Sequence, residues 1–161
     1  MTTASDGFLK LLQAYAQSVG LSMSEGEDAL EFESDDLTVF ISVDPRLPTR
    51  LMVQVRCFDL MDTLDKEAQA SIAWSLHHLN SVAQFEHDWV ATVDPALVVR
   101  LHSQFAIAEL TGSDLDPLIC EGMHRGQALR EMLQSLQDSA QTSPHVELAA
   151  SGLPQAGFLR G

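Results

Sequence analysis

A chain of 161 residues with 23 acidic and 9 basic side chains carries a formal net charge of −14. That length fits one domain, and 45% hydrophobic residues are enough to build a core. The acidity excludes nucleic acid, whose phosphates need Lys and Arg to displace their counterions, and it disfavours an anionic membrane surface.

The opening "MTTASDGFLK" lacks the charged stretch and apolar run of an export signal. No segment approaches the roughly 20 apolar residues that cross a bilayer, so no membrane insertion is expected. Cys57 falls in a strand pattern and Cys120 in a helical one. Two buried thiols, rather than a disulfide, are expected. These features fit a cytoplasmic protein.

The first periodic segment is "SDGFLKLLQAYAQSVG", where Phe8, Leu11, Leu12, Tyr15 and Val19 recur at helical spacing. Ser5 is placed to cap its start and Gly20 to end it. After the polar "MSEGEDA", "LEFES" reads as a short strand and Asp35-Asp36 as a tight turn.

"LTVFISV" follows, with Leu37, Val39, Ile41 and Val43 on one side and Thr38, Phe40 and Ser42 on the other. "RLMVQVRCFD" repeats the pattern: Leu51, Val53, Val55 and Cys57 lie opposite Met52, Gln54, Arg56 and Phe58. Each strand thus has one apolar face and one mixed face. Such a sheet is antiparallel, packs helices on its apolar side and presents the mixed side to something else. Pro45 and Pro48 suit the connection between the two strands, since neither donates to a ladder.

"DTLDKEAQASIAWSLHHLNSVAQF" reads as a second helix, with Asp62 or Thr63 as its cap and Asp65 and Glu67 in its first turn. Leu64, Ala68, Ile72, Leu76, Leu79 and Ala83 form its stripe, broadened by Ala73 and Trp74. Two strands follow, "DWVATV" and "ALVVRLHSQFAIAEL", divided at Asp94-Pro95. The last helix is expected from Asp116-Pro117 to about Asp138. Residues 1–140 then form one α+β domain in the order α-β-β-β-α-β-β-α. Residues 141–161, rich in Ser, Gly and Pro, are expected to form a flexible tail.

No catalytic signature accompanies this architecture. His77 and His78 are adjacent and diverge by about 100° on a helix, whereas metal-binding His pairs sit one turn apart. Glu121 and His124 have E-x-x-H spacing, but a carboxylate di-metal site needs two such motifs. His87, Asp88, Asp94 and Ser103 lack a G-x-S-x-G elbow. No phosphate-cradling glycine loop occurs. No enzymatic activity, metal or cofactor is expected.

The element order, acidity, small size and "FLKLLQAYAQSVGL" opening resemble the class I chaperones of type III secretion systems, the Tir-chaperone family, with a flavour of the multi-effector type. The resemblance spans residues 5–138 and rests on pattern, since that family has no invariant motif. It implies a homodimer that keeps a non-globular segment of one or more effector proteins soluble and export-competent. It further implies a dimer interface at Ile72, Trp74, Leu76, Leu79 and Trp89. Effector-binding surface would be drawn from Phe8, Leu11, Leu12 and Tyr15 of the first helix with Phe40, Met52 and Phe58 of the sheet. Docking of the secretion-system ATPase stays open.

The physics suits that work. Ordering one peptide residue costs about 1–2 kcal/mol, which takes roughly 40–80 Å² of apolar burial to offset. A few apolar pockets and a strand edge are the means available. Two alternatives stand beside it: a small α+β ligand-binding enzyme with His77, His87 or His102 converging in a pocket, and a regulatory or scaffold dimer of the same fold.

Overall fold

The computed structural model describes residues 4–23, 29–44, 46–60, 65–83 and 88–142. Helix α1 (Ala4–Val19) leads into strands β1 (Ala29–Ser34), β2 (Leu37–Asp44) and β3 (Leu47–Asp59). Helix α2 (Lys66–Ala83), strands β4 (Val90–Val93) and β5 (Val98–Ala106), and helix α3 (Gly112–Thr142) complete the chain order. The fold is α+β, and its five strands form one antiparallel sheet in the order β1-β2-β3-β5-β4.

Strand alternation gives the sheet two unlike faces. On one, Val39, Val55 and Leu101 align across β2, β3 and β5, as do Ile41, Val53 and Ser103. These residues are buried, beneath α1 and α3. Helix α1 contributes Phe8, Leu11, Leu12, Tyr15 and Ala16, spaced i, i+3, i+4, i+7 and i+8, and all five are buried. Helix α3 contributes Leu115, Ile119, Leu129 and Leu133. Each such side chain taken fully from water stabilises the fold by about 1.5–3 kcal/mol.

Two glycines let α3 settle onto the sheet. A Cβ on Gly126 would lie 2.9 Å from Cγ1 of Val55, and one on Gly122 would lie 2.9 Å from Cζ2 of Trp89. The indole of Trp89 therefore occupies the space that a side chain at position 122 would need. Its ring also meets Phe105 edge-on at 6.1 Å.

Turn chemistry matches the sequence at two places. Gly20 adopts φ 74° where α1 ends, and Asp35 and Asp36 both adopt positive φ, 51° and 61°, as a two-residue primed hairpin turn requires. Elsewhere the structure departs from expectation. Helix α1 already includes Ser5, beginning at Ala4. Met61 to Leu64 lie outside the described residues, and the cap of α2 is Asp65, whose Oδ1 accepts the Ala68 N–H at 2.7 Å.

Strand β3 takes in Pro48 inside the register shift that separates the Val43–Leu51 and Asp44–Leu47 pairs with β2, and before pairing with β5 begins at Arg50; Pro45 lies outside the described residues. Strand β5 stops at Ala106, and a 3-10 turn over Ile107–Glu109 replaces its expected extension.

Helix α3 starts four residues before Asp116. Asp114 Oδ2 accepts both the N–H of Thr111 at 2.7 Å and its hydroxyl at 2.6 Å, the half of a capping box that reaches back to the residue before the helix. The same helix continues past Asp138 to Thr142; residues 143–161 lie outside the described residues. Cys57 is buried, and burial pushes its thiol up to about 11, whereas Cys120 is exposed on α3. Both are free, so one expected buried thiol is a surface thiol.

Helix α2 sits at the β4 edge of the sheet and touches α3. Its Asn80 reaches β4 and satisfies both backbone groups of Ala91. The Nδ2 donates to the Ala91 carbonyl at 2.7 Å and Oδ1 accepts the Ala91 N–H at 2.8 Å.

Candidate functional site

Among the described residues, no helix covers the sheet face opposite α1 and α3. Its residues fall into three cross-strand rows about 7 Å apart, the rise of two strand residues. Glu33, Thr38, Arg56, Arg100 and Thr92 form the first row; Glu31, Phe40, Gln54, His102 and Val90 the second; Ala29, Ser42, Met52 and Gln104 the third. None of these fourteen positions is buried, whereas their strand neighbours Val39, Ile41, Val53 and Val55 are wholly so.

Phe40 and Met52 supply the apolar surface of this face, each half-buried. The Gln54 amide lies between them in register and bonds the Met52 sulfur at 3.4 Å. Beside Phe40 a concavity of about 270 Å³ is lined by Glu31, Thr38, Gln54, Arg56 and Arg100. Burial lowers the His102 imidazole below its usual range. Phe58 lies past the bulge in β3, packs partly against the core and lines a separate recess with Asp36 and Arg130.

The α1 stripe is placed differently from the expectation that its margin meets a partner. Phe8, Leu11, Leu12 and Tyr15 are all in the core; the Tyr15 ring lies 6.4 Å from that of Phe32, and burial raises its hydroxyl to about 12. A sixteen-residue helix on a five-stranded sheet needs its whole stripe to dock. Of the expected surface, Phe40 and Met52 share the open face, while the α1 residues lie behind the sheet.

The expected interface set also divides. Ile72, Leu76 and Trp89 are buried within this single chain. Leu79 is half-buried and opens onto an apolar groove of about 300 Å³ between α2 and α3, with Trp89, Leu101, Leu129 and Met132. Trp74 alone stands out: it is 71% exposed, with its ring 6.1 Å from that of His77. Val82, two turns on, is also exposed.

The side chains considered for catalysis have structural partners. The Ser103 hydroxyl donates to the Asp88 carbonyl at 2.8 Å. Asp94 Oδ1 accepts the N–H groups of Ala96 and Val98 and its Oδ2 accepts from Arg100 Nε, fixing a turn in which Leu97 has φ 60°. Glu121 accepts from Arg125. His77 is on α2, His102 on the open face, and His87 lies outside the described residues. Among the described residues no three His, Cys, Asp or Glu side chains gather as a metal set, and no helix is long and apolar enough to cross a membrane.

Sequence reasoning missed the arginine row. Arg56 and Arg100 stand 44 positions apart and are brought opposite each other only by the β3–β5 register. It also missed Gly122 and Gly126, although two glycines one turn apart inside a long helix signal a close approach.

No family model and no curated protein matches the chain. Solved structures do. A chain of the ExsC–ExsE complex aligns with a TM-score of 0.61 at 19% identity, over 80% of this chain and 95% of that one. A chain of the HopA1–SchA chaperone–effector complex aligns with a TM-score of 0.61 at 12% identity, over 78% and 94%. The structure of the Yersinia pestis type III secretion chaperone SycH with a stable fragment of YscM2 contains a chain aligning at a TM-score of 0.51 and 16% identity, over 77% and 97%. At these identities the likeness establishes a shared fold, spanning nearly the whole length of each of those chains.

Proposed function

We propose that this protein is a cytoplasmic class I type III secretion chaperone. It holds a non-globular segment of one or more effector proteins, keeping them soluble and competent for export. The observation that carries this reading is the fold, shared over about four-fifths of the chain with proteins solved in a chaperone–effector complex and in a complex with a stable protein fragment. The open sheet face supports it, because Phe40 and Met52 offer apolar surface that the described residues leave part-exposed. The work is binding, without catalysis or cofactor.

The chain acts as a homodimer joined through the outer side of α2. Trp74 supports this: burying an indole that is 71% exposed is worth about 2 kcal/mol or more. Ile72, Leu76 and Trp89 serve the protomer core beneath that surface. Residues 1–140 form the chaperone domain, and residues 141–161 are a tail dispensable for folding.

The test is co-expression with secreted proteins encoded beside this gene, followed by gel filtration and limited proteolysis. A soluble complex is expected in which a client segment resists protease only while bound. If no such protein is retained, the reading fails. A scaffold of the same fold would bind a partner yet leave its export unchanged when this gene is deleted.

A further inference from the structure

Nine basic residues serve the entire chain, and two of them, Arg56 and Arg100, are directly opposed across β3 and β5 on the open face. Like charges in that position destabilise a sheet. Each is hydrogen-bonded by one carboxylate. Asp59 engages Arg56 through Nε at 3.1 Å and Nη2 at 2.7 Å. Asp94 reaches only the Nε of Arg100, at 3.1 Å, because its other oxygen serves the backbone of the turn. Both terminal nitrogens of Arg100, and Nη1 of Arg56, therefore have no protein partner among the described residues. Both arginines line the concavity beside Phe40.

We infer that this arginine row receives a carboxylate of the bound polypeptide, seated next to an apolar side chain held by Phe40 or Met52. The inference rests on the chaperone reading and specifies what its client must carry. An Arg fork matches a carboxylate in two parallel hydrogen bonds. In a segment extended along β3, alternate residues face the sheet and repeat at about 7 Å, the spacing of the rows. The fitting pattern has apolar residues over the Met52 and Phe40 rows and Asp or Glu over the arginine row. Asp59, Asp94, Glu31 and Glu33 surround the row, so no positive field draws the client in. Selection comes from directed hydrogen bonds at short range. A polyanion such as nucleic acid is repelled by the net charge of −14.

The test uses short fluorescein-labelled peptides of alternating Leu and Ser, identical except for one sheet-facing residue that is Glu, Gln or Lys. Binding to the full chain is read by anisotropy. The Glu peptide is expected to bind about fivefold tighter than the Gln peptide, the upper end for an exposed ion pair, with Lys weakest. In Arg100→Gln the Glu-to-Gln ratio falls to about one; Arg56→Gln narrows the ratio less. Melting curves of both variants establish that they are folded. Equal binding of the Glu and Gln peptides to the native chain overturns the inference and leaves the peptide-binding face intact. A ratio that survives Arg100→Gln overturns it too. Absence of binding by all three peptides overturns the inference and the peptide-binding face together.

Discussion

The two faces of one sheet come from the same three central strands and differ in every physical respect. On the covered face Val39, Val55 and Leu101 are buried, and α3 approaches Val55 so closely that a side chain at Gly126 would collide with it. On the open face their immediate neighbours Phe40, Gln54 and Arg100 remain half in water. Alternation produced both. It says that two faces exist, and the supply of helices decides which is closed. The covered face holds the fold together; the open one keeps apolar and hydrogen-bonding groups available to another chain.

The comparison breaks most severely where the covered face is altered. Ile41→Ala should cost about 2–5 kcal/mol and lower Tm by on the order of 10 °C, because a wholly buried side chain leaves a cavity. Phe8→Ser should unfold much of the population, since the ring is buried and an unpaired hydroxyl would replace it. Phe40→Ser should leave Tm within a few degrees and weaken peptide binding about tenfold. A thermal melt beside a binding titration separates the two, and a large fall in Tm for Phe40→Ser would show that the open face belongs to the core.

A similar division runs through α2. Trp74→Glu is expected to give a folded monomer in sedimentation equilibrium, whereas Ile72→Asp should unfold the chain, because a buried unpaired carboxylate is costly. A dimer persisting in Trp74→Glu would place the interface elsewhere. The thiols provide a gentler probe: a chromogenic disulfide reagent should titrate Cys120 at once and Cys57 only after denaturation. Rapid reaction of both would mean that the covered face opens readily.

The smallest effect concerns pH. The Val98 N–H, followed by the Arg100 guanidinium, holds the Asp94 carboxyl below its usual range. A depressed folded pKa gives stability that is present above the unfolded value near 3.9 and lost as pH falls through the folded value. The native chain should therefore lose slightly more Tm between about pH 5 and pH 3 than Asp94→Asn does. Equal losses would show that the turn holds through its backbone alone.

Much of this fold was legible from spacing. The eight elements and their order follow from periods of two and 3.6, and Asp35-Asp36 and Gly20 marked turns that need positive φ. Helix ends were harder, because Thr111 with Asp114 and Asp116 with Pro117 both offer a start, and only tertiary packing chooses between them. The site was less legible still. A stripe such as Phe8–Tyr15 reports which side of a helix is apolar and is silent about how much of that side its own sheet will take. The pairing of Arg56 with Arg100 depends on register between strands separated by a helix and a short strand, information that no local window contains.

The amide of Asn80 acts as a one-residue strand, meeting Ala91 with the same donor and acceptor that a sixth strand would bring. Runaway lateral polymerisation of sheets needs two unsatisfied borders on every molecule, one to give and one to receive. With β4 closed within its short length, only the β1 border remains among the described residues. Units with a single available border can join in pairs and then stop. Asn80→Asp, which turns the donating nitrogen into an oxygen facing the Ala91 carbonyl, would reopen the second border and with it the route to a fibre.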